Sequence, residues 1–220
     1  MKYLLYSTFF ILGACIISFL KVIAHDYPQL DFTRRSHCDY CHRILRWYEI
    51  IPLMGYFIVH GKCLTCKKQI DFGNPLQEFF GGLTCVTLFY FHDLQLLPLV
   101  MMLVLSAYAD VFYGYTYAAF YLICLPTVLL NYRHLHFGTA FLCYLLLILL
   151  SKDFELGLGD IEILSIIGLI MGTMLVLEII LLSCLLCLIR FCFNKKRSFR
   201  FIPYITIATG LIYLTFIFKT

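Results

Sequence analysis

Apolar residues in this chain come in long unbroken runs, not in the alternation of a half-buried strand. The runs are Tyr3–Ala24, Leu76–Phe91, Leu94–Ala109, Tyr115–Leu130, Leu135–Leu150, Ile161–Ile189 and Phe201–Phe218. Most approach the roughly 20 apolar residues that cross a bilayer as a helix. A membrane barrel would alternate apolar and polar positions instead. One polar stretch, about His25 to Pro75, is long enough for a small domain. The pattern predicts an all-α polytopic integral membrane protein. It has a first transmembrane span at 1–24, a polar domain at 25–75 and a membrane-embedded region at 76–220. The first run is longer than the 7–15 residues of a signal-peptide core, so it reads as a retained span.

The run Ile161–Ile189 is too long for one span. As one helix it would extend about 43 Å, against a hydrocarbon core of about 30 Å. Two shorter helices turning near Gly172-Thr173 fit better, which brings the total to about eight. Charge placement agrees. Of 17 Lys and Arg residues, eight lie between Lys21 and Lys68 and five between Arg190 and Arg200. Basic loops stay in the cytoplasm, and an even number of spans must then separate these two segments. Six satisfy that parity and five do not. This topology puts the 25–75 domain, the end of the third span at Asp110 and the Leu156-Gly157-Leu158-Gly159-Asp160 stretch on the cytoplasmic face.

Composition supports the membrane reading, with 62% hydrophobic and 14% charged residues in a chain of 220. Soluble domains carry about 25% charged residues. The net charge of +4 gives no reason to expect nucleic acid as a partner, and the lipid bilayer is the expected surroundings. The 11 cysteines are an odd number, so they cannot all form disulfides. Cys184 and Cys187 repeat a C-x-x-C spacing inside an apolar run without a second pair, and read as small buried residues.

The polar domain holds two C-x-x-C pairs, Cys38 with Cys41 and Cys63 with Cys66, 21 residues apart. Four thiolates at this spacing suit a tetrahedral structural zinc. A reducing cytoplasm would keep them as thiols, and so short a domain would benefit from a metal staple. Two disulfides or a redox pair are the rival readings, and His37 and His42 are spare donors.

Two carboxylates carry the other candidate chemistry. Asp110 ends an apolar run with no Lys or Arg near it in sequence, which makes it a functional-site candidate in a membrane segment; its rival reading is a helix-end residue in the wet interface. Asp160 follows Gly157 and Gly159, which leave the backbone free to adopt positive φ and to approach another helix closely. A helix starts near Asp160, so its positive end lies by the carboxylate. Two carboxyls about 3 Å apart share a proton. One then acts as base on a water, the other as acid toward a scissile carbonyl. The rival reading of Asp160 is a helix N-cap behind a glycine turn.

Together these motifs resemble the type IV prepilin leader peptidases, membrane aspartic proteases of the Gly-x-Gly-Asp type that include the late competence proteins of Gram-positive bacteria. The resemblance runs through Leu45, Glu49, Ile51-Pro52, Gly61-Lys62-Cys63 and Pro75-Leu76-Gln77-Glu78. It continues at Asp110, at Gly157-Leu158-Gly159-Asp160 and at Ile202-Pro203-Tyr204. It implies cleavage of the basic leader from pilin, pseudopilin or competence precursors at the cytoplasmic face of the bacterial plasma membrane. Asp110 and Asp160 would be the catalytic pair, Gly157 and Gly159 their supporting glycines, and Cys38, Cys41, Cys63 and Cys66 the zinc ligands. Many members also N-methylate the new N-terminus with S-adenosylmethionine. The chain departs from the family in lacking a proline soon after Asp110 and in having Glu162 where a lysine is usual. The acidic Asp153 and Glu155 are placed to attract a basic leader. Two other classes fit parts of the pattern. A non-catalytic membrane assembly factor explains the cysteines but not the aspartates. A proton transporter would hold its carboxylates nearer the midplane.

Overall fold

The computed structural model describes residues 2–31, 35–154, 157–193 and 200–217. Arg34, Glu155, Leu156, Lys195, Lys196, Arg197 and Phe218 lie outside them, and so does the side chain of Asp153. The described residues are helical, without a strand and with two isolated β-bridges. They divide into two compact units, Met1–Leu97 and Pro98–Thr220.

The first unit is built on α1 (Lys2–Asp26), two short helices α2 (Trp47–Ile50) and α3 (Met54–Ile58), and α4 (Gly73–Tyr90), followed by a 3-10 turn at Leu94–Leu96. Pro28, two residues past α1, cannot continue the helix, whereas Pro75 sits in the first turn of α4, where its missing N–H is not needed. α1 and α4 pair closely. Gly13 meets the carbonyl of Gly81, and a Cβ on Gly82 would come within 2.7 Å of the Phe10 ring. Phe9 stacks on Phe89 with centroids 4.0 Å apart, and Lys21 Nζ donates to Asn74 Oδ1 at 2.5 Å. Small residues at the crossing let backbones touch, which is how apolar helices gain contact where water supplies no driving force.

The second unit starts with α5 (Leu97–Tyr113). A 3-10 segment, Ala118–Cys124, leads into α6 (Leu125–Leu130). A 3-10 turn at Tyr132–His134 precedes α7 (Phe137–Phe154), α8 (Leu158–Met171), α9 (Thr173–Phe193) and α10 (Ile202–Ile217). The core is apolar and drawn mainly from four helices, Leu99, Met102 and Leu103 of α5, Ile163 and Ile167 of α8, Ile179 of α9, and Ile205 and Ala208 of α10, with Cys143 of α7 and Cys124 of the 3-10 segment joining it. Two polar contacts fix α5 within it. Thr206 Oγ1 donates to the Leu103 carbonyl at 3.2 Å, and the Leu99 N–H donates to the buried Thr127 Oγ1 at 3.2 Å.

The chain breaks at Gly172, where helix length required a break. Gly172 has φ 82° and ψ 177°, a conformation that is essentially glycine's alone. The stretch Tyr115–Leu130 differs from expectation. It is a seven-residue 3-10 segment and a six-residue helix, not one continuous span. Pro126, at the start of α6, has no N–H to extend an earlier helix and clashes with the preceding turn.

Among the described residues, three stretches are long and apolar enough to cross a membrane: Lys2–Asp26, Leu94–Tyr113 and Thr173–Phe193. On the last, Leu177, Leu181 and Leu188 are 59%, 70% and 62% exposed and recur at helical spacing. An exposed apolar stripe of this kind calls for a non-aqueous neighbour, and lipid is the one its length suits.

The α1–α4 crossing is sensitive to volume. A Gly81→Val change would drive its side chain into Ile17 and should destabilise the protein by about 1–3 kcal/mol. Gly210→Ala, with nothing within 4 Å of the new Cβ, should be neutral or stabilising. Thermal unfolding of the detergent-solubilised variants, side by side, measures both.

Candidate active site and metal centre

In the first unit the two C-x-x-C pairs fold into twin turns. The N–H of Cys38 donates to the Arg43 carbonyl at 2.9 Å, and that of His42 donates to the Cys38 carbonyl at 2.8 Å. The second turn repeats the first, with Cys63 N–H to Lys68 at 2.9 Å and Lys67 N–H to Cys63 at 3.0 Å. Each turn requires a left-handed residue directly after its second cysteine, and His42 (φ 53°) and Lys67 (φ 58°) supply it. A short bridge flanks each turn, His37 with Ile44 and Lys62 with Gln69. Lys68 Nζ lies 4.7 Å from the centre of the Tyr40 ring, a cation–π contact from one turn to the other.

The four sulfurs lie within 4.8 Å of one another. Cys38 faces Cys66, and Cys41 faces Cys63, each pair at 3.9 Å. A tetrahedral site with metal–sulfur bonds of about 2.3 Å needs sulfurs about 3.8 Å apart. The group can therefore hold a metal ion with little movement. Backbone N–H groups of Cys66 and Thr65 aim at the Cys63 sulfur and bring its thiol down to about 6, toward the thiolate that binds metal. His37 and His42 stack on each other at 5.7 Å and stand outside this sulfur group.

The motif residues around the cysteines hold the segment together. Glu49 Oε1 accepts from Arg43 at 2.8 Å and its Oε2 from the Arg46 N–H at 2.6 Å, closing the first turn of α2. Arg43 also reaches toward Cys63, so this ion pair borders the sulfur cluster. The Arg43 hydrogen bond, aided by the Arg46 N–H, outweighs burial and holds the Glu49 carboxyl below its ordinary range. Glu78 of α4 accepts the Leu53 N–H at 2.7 Å, tying the polar segment to the helix.

The second unit gathers the aspartates. Asp110 lies in the last turn of α5, inside the helix and not beyond its end, and is only 7% exposed. The N–H of Ile202, at the start of α10, points to its carboxylate, and the exposed Arg200 lies within electrostatic range. Its other oxygen, Oδ2, has no hydrogen-bond partner among the described residues. Gly114 (φ 81°) ends α5 by donating to the Asp110 carbonyl at 2.9 Å.

Asp160 is half-buried in the first turn of α8. The N-cap is Gly157, so Asp160 is the third helical residue, and its carboxylate folds back on the Gly157 N–H. This is one half of a capping box, the same device that Glu49 uses at α2. Asp160 and Asp110 lie within electrostatic range of each other.

The supporting glycines work differently from expectation. Gly157 has φ −64°, and Gly159 is an ordinary helical residue, so neither adopts positive φ. What Gly159 provides is space, because a Cβ there would lie 2.5 Å from Thr116 Oγ1. Thr116 follows the helix of Asp110 by a few residues, so this contact brings the two carboxylate-bearing segments side by side. Thr116, Tyr121 and Ser106 carry no local signal in the sequence. The Tyr121 hydroxyl lies 3.1 Å from Thr116 Oγ1 and within reach of Glu162, and Ser106 sits one turn before Asp110.

Residues 11–92 match the bacterial peptidase A24 N-terminal domain. The chain is 35% identical over 108 residues to a prepilin leader peptidase/N-methyltransferase of Myxococcus xanthus (strain DK1622), covering 46% of this chain and 32% of that protein. It is 27% identical over 88 residues to a protein of the same description from Vibrio cholerae serotype O1, covering 36% and 35%. A third with that description, from Bacillus subtilis (strain 168), is 26% identical over 182 residues, covering 76% of this chain and 73% of the relative. The alignments thus span about a third of the first two relatives' length. No solved structure matches.

The sulfur geometry makes a direct prediction. Purified protein should carry one metal ion per chain by elemental analysis. The double variant Cys38→Ser with Cys63→Ser should lose it and become more sensitive to protease between residues 35 and 72.

Proposed function

We propose, from its similarity to the type IV prepilin leader peptidases, that this chain is a multi-pass membrane endopeptidase that removes the leader from prepilin-like precursors. The observation that carries this reading is the placement of two carboxylates on separate helices of one unit, Asp110 buried with an oxygen unpartnered among the described residues and Asp160 at a helix N-terminus within electrostatic range of it.

The chemistry follows from the pair. Two neighbouring carboxyls hold one proton between them. The ionised one takes a proton from a water as its oxygen bonds to the scissile carbonyl carbon. The protonated one donates to the carbonyl oxygen, and the leaving amine takes its proton from the pair as the C–N bond breaks. The two oxygens needed for this come from α5 and α8, so the packing that fixes their spacing is part of the mechanism.

The Lys and Arg distribution supports a cytoplasmic face for the aspartates and for the four-cysteine segment, which is where a basic leader would arrive. Zinc is the metal that four thiolates at tetrahedral spacing favour. Held by Cys38, Cys41, Cys63 and Cys66, it would supply a structural cross-link and no reacting group. The relatives' names also include an N-methyltransferase. The same activity on this chain would consume S-adenosylmethionine and add a methyl group to the newly exposed amine.

The test is co-expression with a prepilin-like precursor, following precursor size on a gel. Wild type should cleave. Asp110→Asn and Asp160→Asn should each lose at least about 10²-fold in rate while remaining in the membrane at normal level. Cleavage that survives both substitutions would sink the assignment. Mass spectrometry of the product reads methylation from the same sample.

A further inference from the structure

Ser106 and Asp110 are four residues apart on α5, so their side chains leave one helix face with Cβ atoms roughly 5–6 Å apart. Ser106 is fully buried, and Asp110 nearly so. Each has a buried oxygen without a hydrogen-bond partner among the described residues, Ser106 Oγ and Asp110 Oδ2.

Other buried helix hydroxyls in this unit behave differently. Ser165 donates to the Ile161 carbonyl at 2.7 Å, Ser183 to Ile179 at 2.6 Å and Thr209 to Ile205 at 2.8 Å. The same bond, to the carbonyl of Met102, is open to Ser106 by sequence, and it does not make it. A buried polar atom left unbonded is destabilising, so such atoms in native structures call for an unseen partner or a functional use. Here two of them lie on the same helix face. Two hydrogen bonds of about 2.8 Å laid end to end reach about as far as the Cβ spacing of such a pair. That is the reach of one bridging water.

We propose that Ser106 is a positioning residue that holds the attacking water against Asp110. This rests on the peptidase reading of Asp110 and Asp160. The water directs one hydrogen to Asp110 Oδ2 and the other to Ser106 Oγ. Both of its lone pairs then stay free, and one of them faces the scissile carbonyl carbon. When the water oxygen bonds to that carbon, its proton passes to the Asp110 carboxylate. When the C–N bond breaks, the amine takes a proton from the aspartate pair. Ser106 neither gains nor loses an atom, which distinguishes it from a serine nucleophile and an acyl-enzyme.

The experiment is steady-state cleavage of a precursor by the purified full chain in detergent, with melting temperature measured on the same samples. The variants are Ser106→Ala, Ser106→Thr and, as a control outside the site, Ser183→Ala. Ser106→Ala should lower kcat by about tenfold with KM little changed, and should melt at the same or a higher temperature because an unbonded hydroxyl is gone. Ser106→Thr should restore most of kcat. Because threonine adds a methyl group at a fully buried position, the alanine variant decides the matter if threonine does not fold. Ser183→Ala should keep the wild-type kcat. An unchanged kcat in Ser106→Ala would overturn the proposal, and so would a fall in kcat matched by a fall in melting temperature, which would mean a packing role. Loss as complete as in Asp110→Asn would overturn it in favour of a nucleophile. Absence of cleavage by wild type would remove the peptidase reading and this inference together, whereas wild-type cleavage with an undiminished Ser106→Ala removes only the inference.

Discussion

A carboxylate on an apolar helix must be compensated, and the unit from Pro98 to Thr220 is organised around compensating Asp110. An isolated charge in such a setting is prohibitive, so the surroundings must supply donors and opposite charge. The supply comes from α10. Its first residue, Ile202, turns an N–H to the carboxylate, the positive end of the helix lies alongside, and Arg200 stands just before it. Thr206, one turn further on, pins the same helix to α5 through the Leu103 carbonyl. The Ile202-Pro203-Tyr204 element therefore has a physical role, since proline near the start of a helix keeps that start where the acid needs it. Compensation is incomplete, because one oxygen remains unbonded among the described residues.

The four-cysteine segment meets a different shortage, too few apolar residues to make a core. Between residues 35 and 72 the buried hydrophobic residues are Val59 and Cys63. Order comes instead from the paired turns, the Arg43–Glu49 ion pair and the Glu78 tie to Leu53. His42 and Lys67 hold left-handed conformations that a glycine would adopt more easily. That strain persists because the paired-turn hydrogen bonds and the flanking bridges over-determine the turns.

Much of this was legible in the sequence, for stated physical reasons. Two C-x-x-C pairs at this spacing pointed to a four-sulfur cluster, and the four sulfurs do gather. The break at Gly172 could be inferred because a bilayer has a fixed thickness and Ile161–Ile189 overran it. The candidate aspartates stood out because charge is scarce in apolar runs. What could not be read were contacts between residues distant along the chain. Nothing local to Thr116 says that it rests on Gly159, and nothing local to Tyr121 points to Glu162. The glycines before Asp160 suggested unusual backbone angles, yet one caps the helix and the other yields room, both at ordinary dihedrals. The length of the Tyr115–Leu130 run concealed its 3-10 segment, because hydropathy reports what is apolar and is silent on how the backbone winds.

The contact of Thr116 with Gly159 also bears on how such a chain can change over time. The apolar side chains of α5, α8 and α10 interchange freely, because leucine, isoleucine and valine fill similar space. Sequences sharing this arrangement can drift until little identity remains in the helices. A side chain at Gly159 has less latitude, since it would have to displace the Thr116 hydroxyl that packs there. Descent would then leave a mostly featureless apolar record punctuated by a few unmoving positions, and those positions trace the geometry of the pair more faithfully than overall similarity does.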